Sequence, residues 1–173
     1  YDNAGNMLTR TDARAVQTQY TYDALNRPTA ITYPGAAAEN VTYTYDTCPL
    51  GLGRLCAVTD AGGSESYAYD AFGNRTGVQR TELGVSYQTD YTYDATGWLT
   101  GVTRPVIGAA TYTRNDQGLL TRITDQRGKH WDFGYSAMGR LISHTDPLGR
   151  QRTLAYDSRG RVQQITYPST ALR

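Results

Sequence analysis

The sequence predicts an all-β protein built of tandem β-hairpins, laid side by side in one continuous, twisted and spiralling antiparallel sheet. Three observations predict it. Tyrosine occurs 15 times, against 2 phenylalanines and 2 tryptophans. Glycine is abundant at 18 residues, threonine is frequent, and large aliphatic side chains are scarce. A Tyr-Asp pair returns along the whole chain at nearly constant spacing. Tyrosine and threonine suit a pleated, half-buried surface, and glycine punctuates tight turns. So little aliphatic content leaves either disorder or a repetitive β architecture that buries aromatic rings in rows. A regular repeat decides for the second.

The repeat begins at Tyr1, Tyr22, Tyr45, Tyr69, Tyr93, Arg114, Tyr135 and Tyr156, at intervals of 21 to 24 residues. Tyr-Asp is intact at Tyr1-Asp2, Tyr22-Asp23, Tyr45-Asp46, Tyr69-Asp70, Tyr93-Asp94 and Tyr156-Asp157; Arg114-Asn115 and Tyr135-Ser136 are degenerate copies. Three residues after the acid or its substitute stands Gly5, Gly73, Gly97, Gly118, Gly139 or Gly160, with Asn26 in the second copy. A second mark recurs within the copies at Thr11-Asp12, Thr59-Asp60, Thr124-Asp125 and Thr145-Asp146, with Thr81-Glu82 as an acidic variant. Each copy therefore has two turns and two short alternating strands, one hairpin per repeat.

The turns are expected to rest on Asp2, Gly5, Asp70, Gly73, Asp94, Gly97, Gly139, Asp157 and Gly160. An aspartate opening a turn accepts hydrogen bonds from backbone N–H groups a few residues on, and the glycine then takes positive φ. The triplets ending at Tyr22, Tyr45, Tyr69 and Tyr93 set two rings two residues apart, on one face of a strand. Stacking of successive copies is expected to line these rings up as aromatic ladders. A carbohydrate-stacking platform is the functional alternative for the same tyrosines.

Little else in the chain carries chemistry. His130 and His144 lie in neighbouring copies without partners at zinc spacing, and aspartates come one per turn rather than clustered as calcium requires. No nucleophile elbow, phosphate loop or dinucleotide fingerprint occurs, so no catalytic residue, cofactor or metal ligand is assigned. Trp98 takes the arginine place of Gly-Arg-Leu, and Trp131 falls on a strand; packing is the default for both. A formal net charge of +1 gives no footprint for nucleic acid, and no run of about 18 apolar residues offers a membrane span. Cys48 and Cys56 bracket the one enlarged first turn. They suit a disulfide across the hairpin in an oxidising compartment, or two reduced thiols in the cytosol.

These motifs resemble the YD-repeat family, also called Rhs repeats. The pattern Tyr-Asp-x-x-Gly-Arg-Leu followed by Thr-Asp-x-x-Gly is nearly complete over residues 135–149, with Ser136 for the aspartate. The resemblance covers essentially the whole chain. It implies a sheet that spirals into a hollow shell, as in bacterial Rhs polymorphic toxins, the shell components of insecticidal toxin complexes and the teneurins. In the bacterial toxins such a shell encloses a C-terminal toxic domain. The paired Asp-Pro motifs at which family members cleave their own chain are missing. Asp146-Pro147 sits in register as an ordinary second turn.

The chain opens in mid-motif, which predicts a segment of a longer protein, residues 1–173 forming one repeat region of about eight copies. Its expected role is structural: part of a wall around a C-terminal toxin or effector, secreted or delivered to the cell surface by bacteria, and not an enzyme. Its partners would be the rest of the parent shell and the enclosed effector, with self-association through open sheet edges. The alternative is an extracellular module that binds glycans or a partner protein.

Overall fold

The computed structural model describes residues 1–168. Apart from one 3-10 turn at Ala37–Glu39, their regular structure is all β. Fifteen strands follow one another in chain order through one sheet, each beside its sequence neighbours. Such an order needs no crossover connection, only turns. The chain divides into two compact units, residues 1–90 and residues 91 onward.

The first unit holds β1 (Thr9–Thr11), β2 (Gln17–Tyr22), β3 (Pro28–Thr32), β4 (Val41–Tyr45), β5 (Leu55–Asp60), β6 (Gly63–Tyr69) and β7 (Arg75–Glu82). β8 (Val85–Tyr93) begins in it. Tyrosine and threonine alternate over residues 20–22 of β2 and 42–45 of β4, with the tyrosines half-buried and Thr21, Thr42 and Thr44 exposed. The period of two thus separates a covered face from a wet one. Across the sheet, Tyr20 lies opposite Ile31, Tyr43 opposite Val58, and Tyr67 opposite Val78.

The second unit continues with β9 (Leu99–Arg104), β10 (Gly108–Arg114), β11 (Leu120–Thr124), β12 (His130–Tyr135), β13 (Leu141–Thr145), β14 (Gln151–Tyr156) and β15 (Val162–Thr166). Tyr112 faces Ile123 in the same way, and in the last copy Leu154 takes the place of the ring opposite Ile165. At Phe133 the partner is His144, ring centroids 5.0 Å apart.

This register corrects the expected ring-on-ring ladder. Strands carrying tyrosine alternate with strands carrying valine or isoleucine, so rings of successive copies stand two strands apart. At about 4.8 Å per strand that is roughly 9.5 Å, beyond ring contact. The unit of packing is an aromatic against a β-branched neighbour, worth about 0.2–1 kcal/mol per pair. Burial is shallow throughout. Among the described residues, Cys56 at 4% exposure and Val102 at 7% make up the buried hydrophobic set.

A second feature was not foreseen. In six strand pairs the register slips by one residue just before the first turn, at Tyr22, Tyr45, Tyr69, Arg114, Tyr135 and Tyr156. A bulge of this kind leaves one residue unpaired and re-aims its side chain. The unpaired residue lies on the returning strand, at Thr29, Cys56, Thr76, Thr121, Ile142 and Gln163, opposite the tyrosine of the Tyr-Asp pair or its substitute. No helix among the described residues is long and apolar enough to cross a membrane.

Candidate functional site

The part that recurs with fixed geometry is the acid-opened turn. At Asp2, Oδ1 accepts from the N–H groups of Ala4 and Asn6, at 2.9 and 2.8 Å. The backbone of Asp2 closes the loop, its carbonyl accepting from Gly5 N–H and its own N–H donating to Asn6. Asp70, Asp94 and Asp157 repeat the pattern, each Oδ1 taking the N–H groups two and four residues on. The second turns at Asp12, Asp125 and Asp146 use it too. Asn115 does so with its amide oxygen, while Ser136 offers one longer bond, 3.2 Å from Arg140 N–H. Gly5, Gly73, Gly97, Gly139 and Gly160 all lie at φ between 75° and 88°.

These bonds set the charge state. The Asn6 side chain, then its backbone, holds the Asp2 carboxyl below the ordinary aspartate value. Asn74 does the same for Asp70, the Thr96 hydroxyl for Asp94, and the Arg161 backbone for Asp157. Each carboxylate is ionised because donors already point at it.

In several copies the residue after the turn glycine, or after Asn26 in the second copy, reaches into the next copy. Arg27 binds its own Asp23 and, 19 residues on, Asp46, while its guanidinium lies 4.3 Å from the Tyr45 ring centre. Bonding to Asp46 and then Asp23 raises the pKa of Arg27. Arg54 stands 5.6 Å over Tyr69 and packs where a side chain on Gly73 would collide with it. Arg140 stands 5.8 Å over Tyr156, and a Cβ on Gly160 would fall 2.6 Å from its Nη2. Trp98 fills the same place against Gly118, with Arg114 5.1 Å from its ring. Guanidinium over ring is a favourable contact within about 6 Å. Four of the five tyrosines at these slips also reach back, each hydroxyl donating to a backbone carbonyl of the preceding copy. Tyr22 bonds Met7, Tyr69 bonds Leu55, Tyr135 bonds Leu120 and Tyr156 bonds Leu141, at 2.6 to 3.0 Å. The repeat alone signals none of this, because spacing says where a side chain starts and not which neighbour it meets.

The enlarged turn of the third copy is different. Asp46 adopts φ 66°, Leu50 57° and Gly53 77°. Cys48 and Cys56 are joined by a disulfide, Cα atoms 5.5 Å apart. Gly51 is buried against both sulfurs. His130 is exposed, with Nε2 3.6 Å from Asp132. Among the described residues, no three His, Cys, Asp or Glu side chains are grouped to hold a metal ion. In the first unit, the loop after β3 borders a concavity of about 980 Å³, lined by Val16, Tyr33, Pro34, Val41, Asp60 and Arg80 among others.

The family model for the RHS Repeat matches residues 1–38, 51–85, 114–151 and 135–171. The chain belongs to the RHS repeat family. It is 25% identical over 162 residues to the double-stranded DNA deaminase toxin A of Burkholderia cenocepacia (strain H111). That match takes in 94% of this chain and 11% of the toxin. Among solved structures, the RHS repeat chain superposes on the TcdB2-TccC3 complex without its hypervariable C-terminal region. The TM-score is 0.73 at 16% identity, over 96% of this chain and 10% of that one. The Tc holotoxin pore of Photorhabdus luminescens gives a TM-score of 0.67 at 16% identity, over 96% and 12%. At such identities the structural likeness speaks for the fold, and this RHS repeat chain spans about a tenth of the proteins it resembles. It is a structural repeat segment of the kind found in toxin-complex proteins.

Proposed function

We propose that this chain, about eight copies over residues 1–173, is a stretch of wall in a bacterial container that encloses a C-terminal effector of its parent protein until delivery. The observation that carries the reading is the hand-over from turn to turn. Arg27, Arg54 and Arg140 each spend their charge on the next copy, and tyrosine hydroxyls reach back to the one before. Side chains committed in this way build the sheet, and among the described residues no three His, Cys, Asp or Glu side chains are grouped to hold a metal ion. The segment itself is therefore read as non-enzymatic and cofactor-free, with any activity residing in the effector. A relative that is a deaminase toxin, and a structural neighbour with a hypervariable C-terminal region, support a parent that carries such an effector. Export or surface delivery follows from that role.

The test uses the parent protein with its C-terminal region. A site-specific protease sequence placed at the exposed turn around Leu83 opens the wall on demand. Before cutting, the effector region resists a general protease; after cutting, it is digested or becomes active. Equal digestion before and after would overturn the reading.

A binding module remains the second reading, favoured by one observation. The inserted loop after β3 puts Tyr33 and Pro34 on the rim of the large concavity. Glycan-array binding that is lost in Tyr33→Ala supports it, and an empty array argues for the wall.

A further inference from the structure

We infer that the disulfide-bridged turn of the third copy is a redox-responsive joint, which holds three consecutive copies in register while oxidised and loosens them when a dithiol reduces it. The biological use of such a joint rests on the wall reading above; its mechanics do not.

The argument starts with the loop backbone. Asp46 and Leu50 both occupy the left-handed region, at φ 66° and 57°. That region disfavours side chains other than glycine, asparagine or aspartate, and a leucine there is held only by its surroundings. What holds it is a closed ring. Gly51 N–H donates to the Cys48 carbonyl, Arg54 N–H donates to the Gly51 carbonyl, and Cys48 N–H lies 3.0 Å from the Cys56 sulfur. Gly51 fits beneath the sulfurs because it has no side chain. With Leu52 at 82% exposure, the apolar residues of the loop supply little burial of their own. Across its base the segment is closed by Asp46 N–H donating to the Arg54 carbonyl and Gly53 N–H donating to Asp46 Oδ1, and the disulfide is the one covalent restraint added to these exchangeable bonds.

The position of that segment makes it a joint. At one end of it, Asp46 receives Arg27 from the copy before. At the other, Arg54 is steadied by the Leu50 and Leu52 carbonyls and lies over Tyr69 and Gly73 of the copy after. Relaxation of Leu50 removes one carbonyl that positions Arg54 and frees Asp46 to leave Arg27. Reduction is balanced: two electrons and two protons from the dithiol give the Cys48 and Cys56 thiols, and the dithiol becomes a disulfide. Cys56 is nearly buried and Cys48 only partly so, which directs thiolate attack to the Cys48 sulfur.

The experiment is amide hydrogen exchange on the full chain, with and without dithiothreitol, the thiol state being read by mass spectrometry of alkylated protein. The second unit has no cysteine and serves as an internal reference. On reduction, exchange over residues 46–54 and at the Gly73 turn should rise by about tenfold or more, with residues 99–166 unchanged. The Cys48→Ser/Cys56→Ser double variant should show the raised exchange without reductant and no further response to it. Unchanged exchange in protein with two confirmed thiols overturns the proposal, as does a bond that native protein keeps under excess dithiol. An equal rise in both units shows general unfolding and overturns it too. Protease protection of the effector tests the wall reading separately and can fail while this result stands.

Discussion

At the scale of the residue, the turn aspartate and the glycine three places on divide one task. The carboxylate collects two N–H groups that a hairpin leaves without partners, and the glycine closes the loop at positive φ. At Gly139 a Cβ would meet Leu119 Cδ1 at 3.5 Å, an ordinary contact, so the cost of a side chain there lies in the backbone, at φ 75°. Gly139→Val should lower stability by about 1–3 kcal/mol in a thermal melt. The turn beginning at Ser136 points the other way. Its hydroxyl accepts one 3.2 Å bond where aspartates accept two shorter ones. Ser136→Asp should therefore raise stability by about 0.5–1.5 kcal/mol, measurable as a higher denaturant midpoint. The depressed carboxyls also fix the response to acid. Because Asp2, Asp70, Asp94 and Asp157 titrate lower in the folded chain than in the unfolded one, the unfolded chain takes up protons first as pH falls. The stability they lend is fully present above the ordinary aspartate range and is lost as pH falls through and below it. Melting temperatures measured across that window should decline; a flat profile would mean the carboxylates are not held by their turns.

At the scale of the element, the hairpin was legible before its details. Alternation of tyrosine and threonine gives the strand, and an acid followed by glycine gives the turn, because both are local effects written in adjacent residues. The bulge opposite Tyr22 or Tyr156 was not legible, since it depends on how a five-residue turn meets the twist of two strands. The partners of Arg27, Arg54 and Arg140 were hidden for a related reason: a guanidinium chooses among neighbours about 20 residues away that only the assembled sheet brings near. Ring-on-ring stacking was inferred from sequence period, and the intervening aliphatic strand rules it out. The back-reaching hydroxyl is open to direct measurement. Tyr156→Phe removes the donor that meets the Leu141 carbonyl at 2.7 Å and leaves the ring beneath Arg140. It should cost about 0.5–1.5 kcal/mol in chemical denaturation, with strand content by circular dichroism unchanged. A larger loss would mean that the hydroxyl also supports the bulge.

At the scale of the whole molecule, stability is a sum over neighbours, since few side chains are fully buried and each strand touches the next in sequence. The first and last strands of the order, β1 and β15, each present an edge, and an open edge pairs with other chains. The isolated segment should self-associate with rising concentration in sedimentation velocity. A concentration-independent monomer would count against open ends and for a closed binding module. The hand-over of side chains from copy to copy has a further result. Three joints share the same two halves, an arginine at the end of one turn and the tyrosine that opens the next: Arg27 with Tyr45, Arg54 with Tyr69 and Arg140 with Tyr156. The leading half of one such copy therefore suits the trailing half of another. A gene that duplicates or drops a unit between such copies leaves sound joints on both sides of the change, so chains of this kind can vary in length by simple recombination while each descendant still folds.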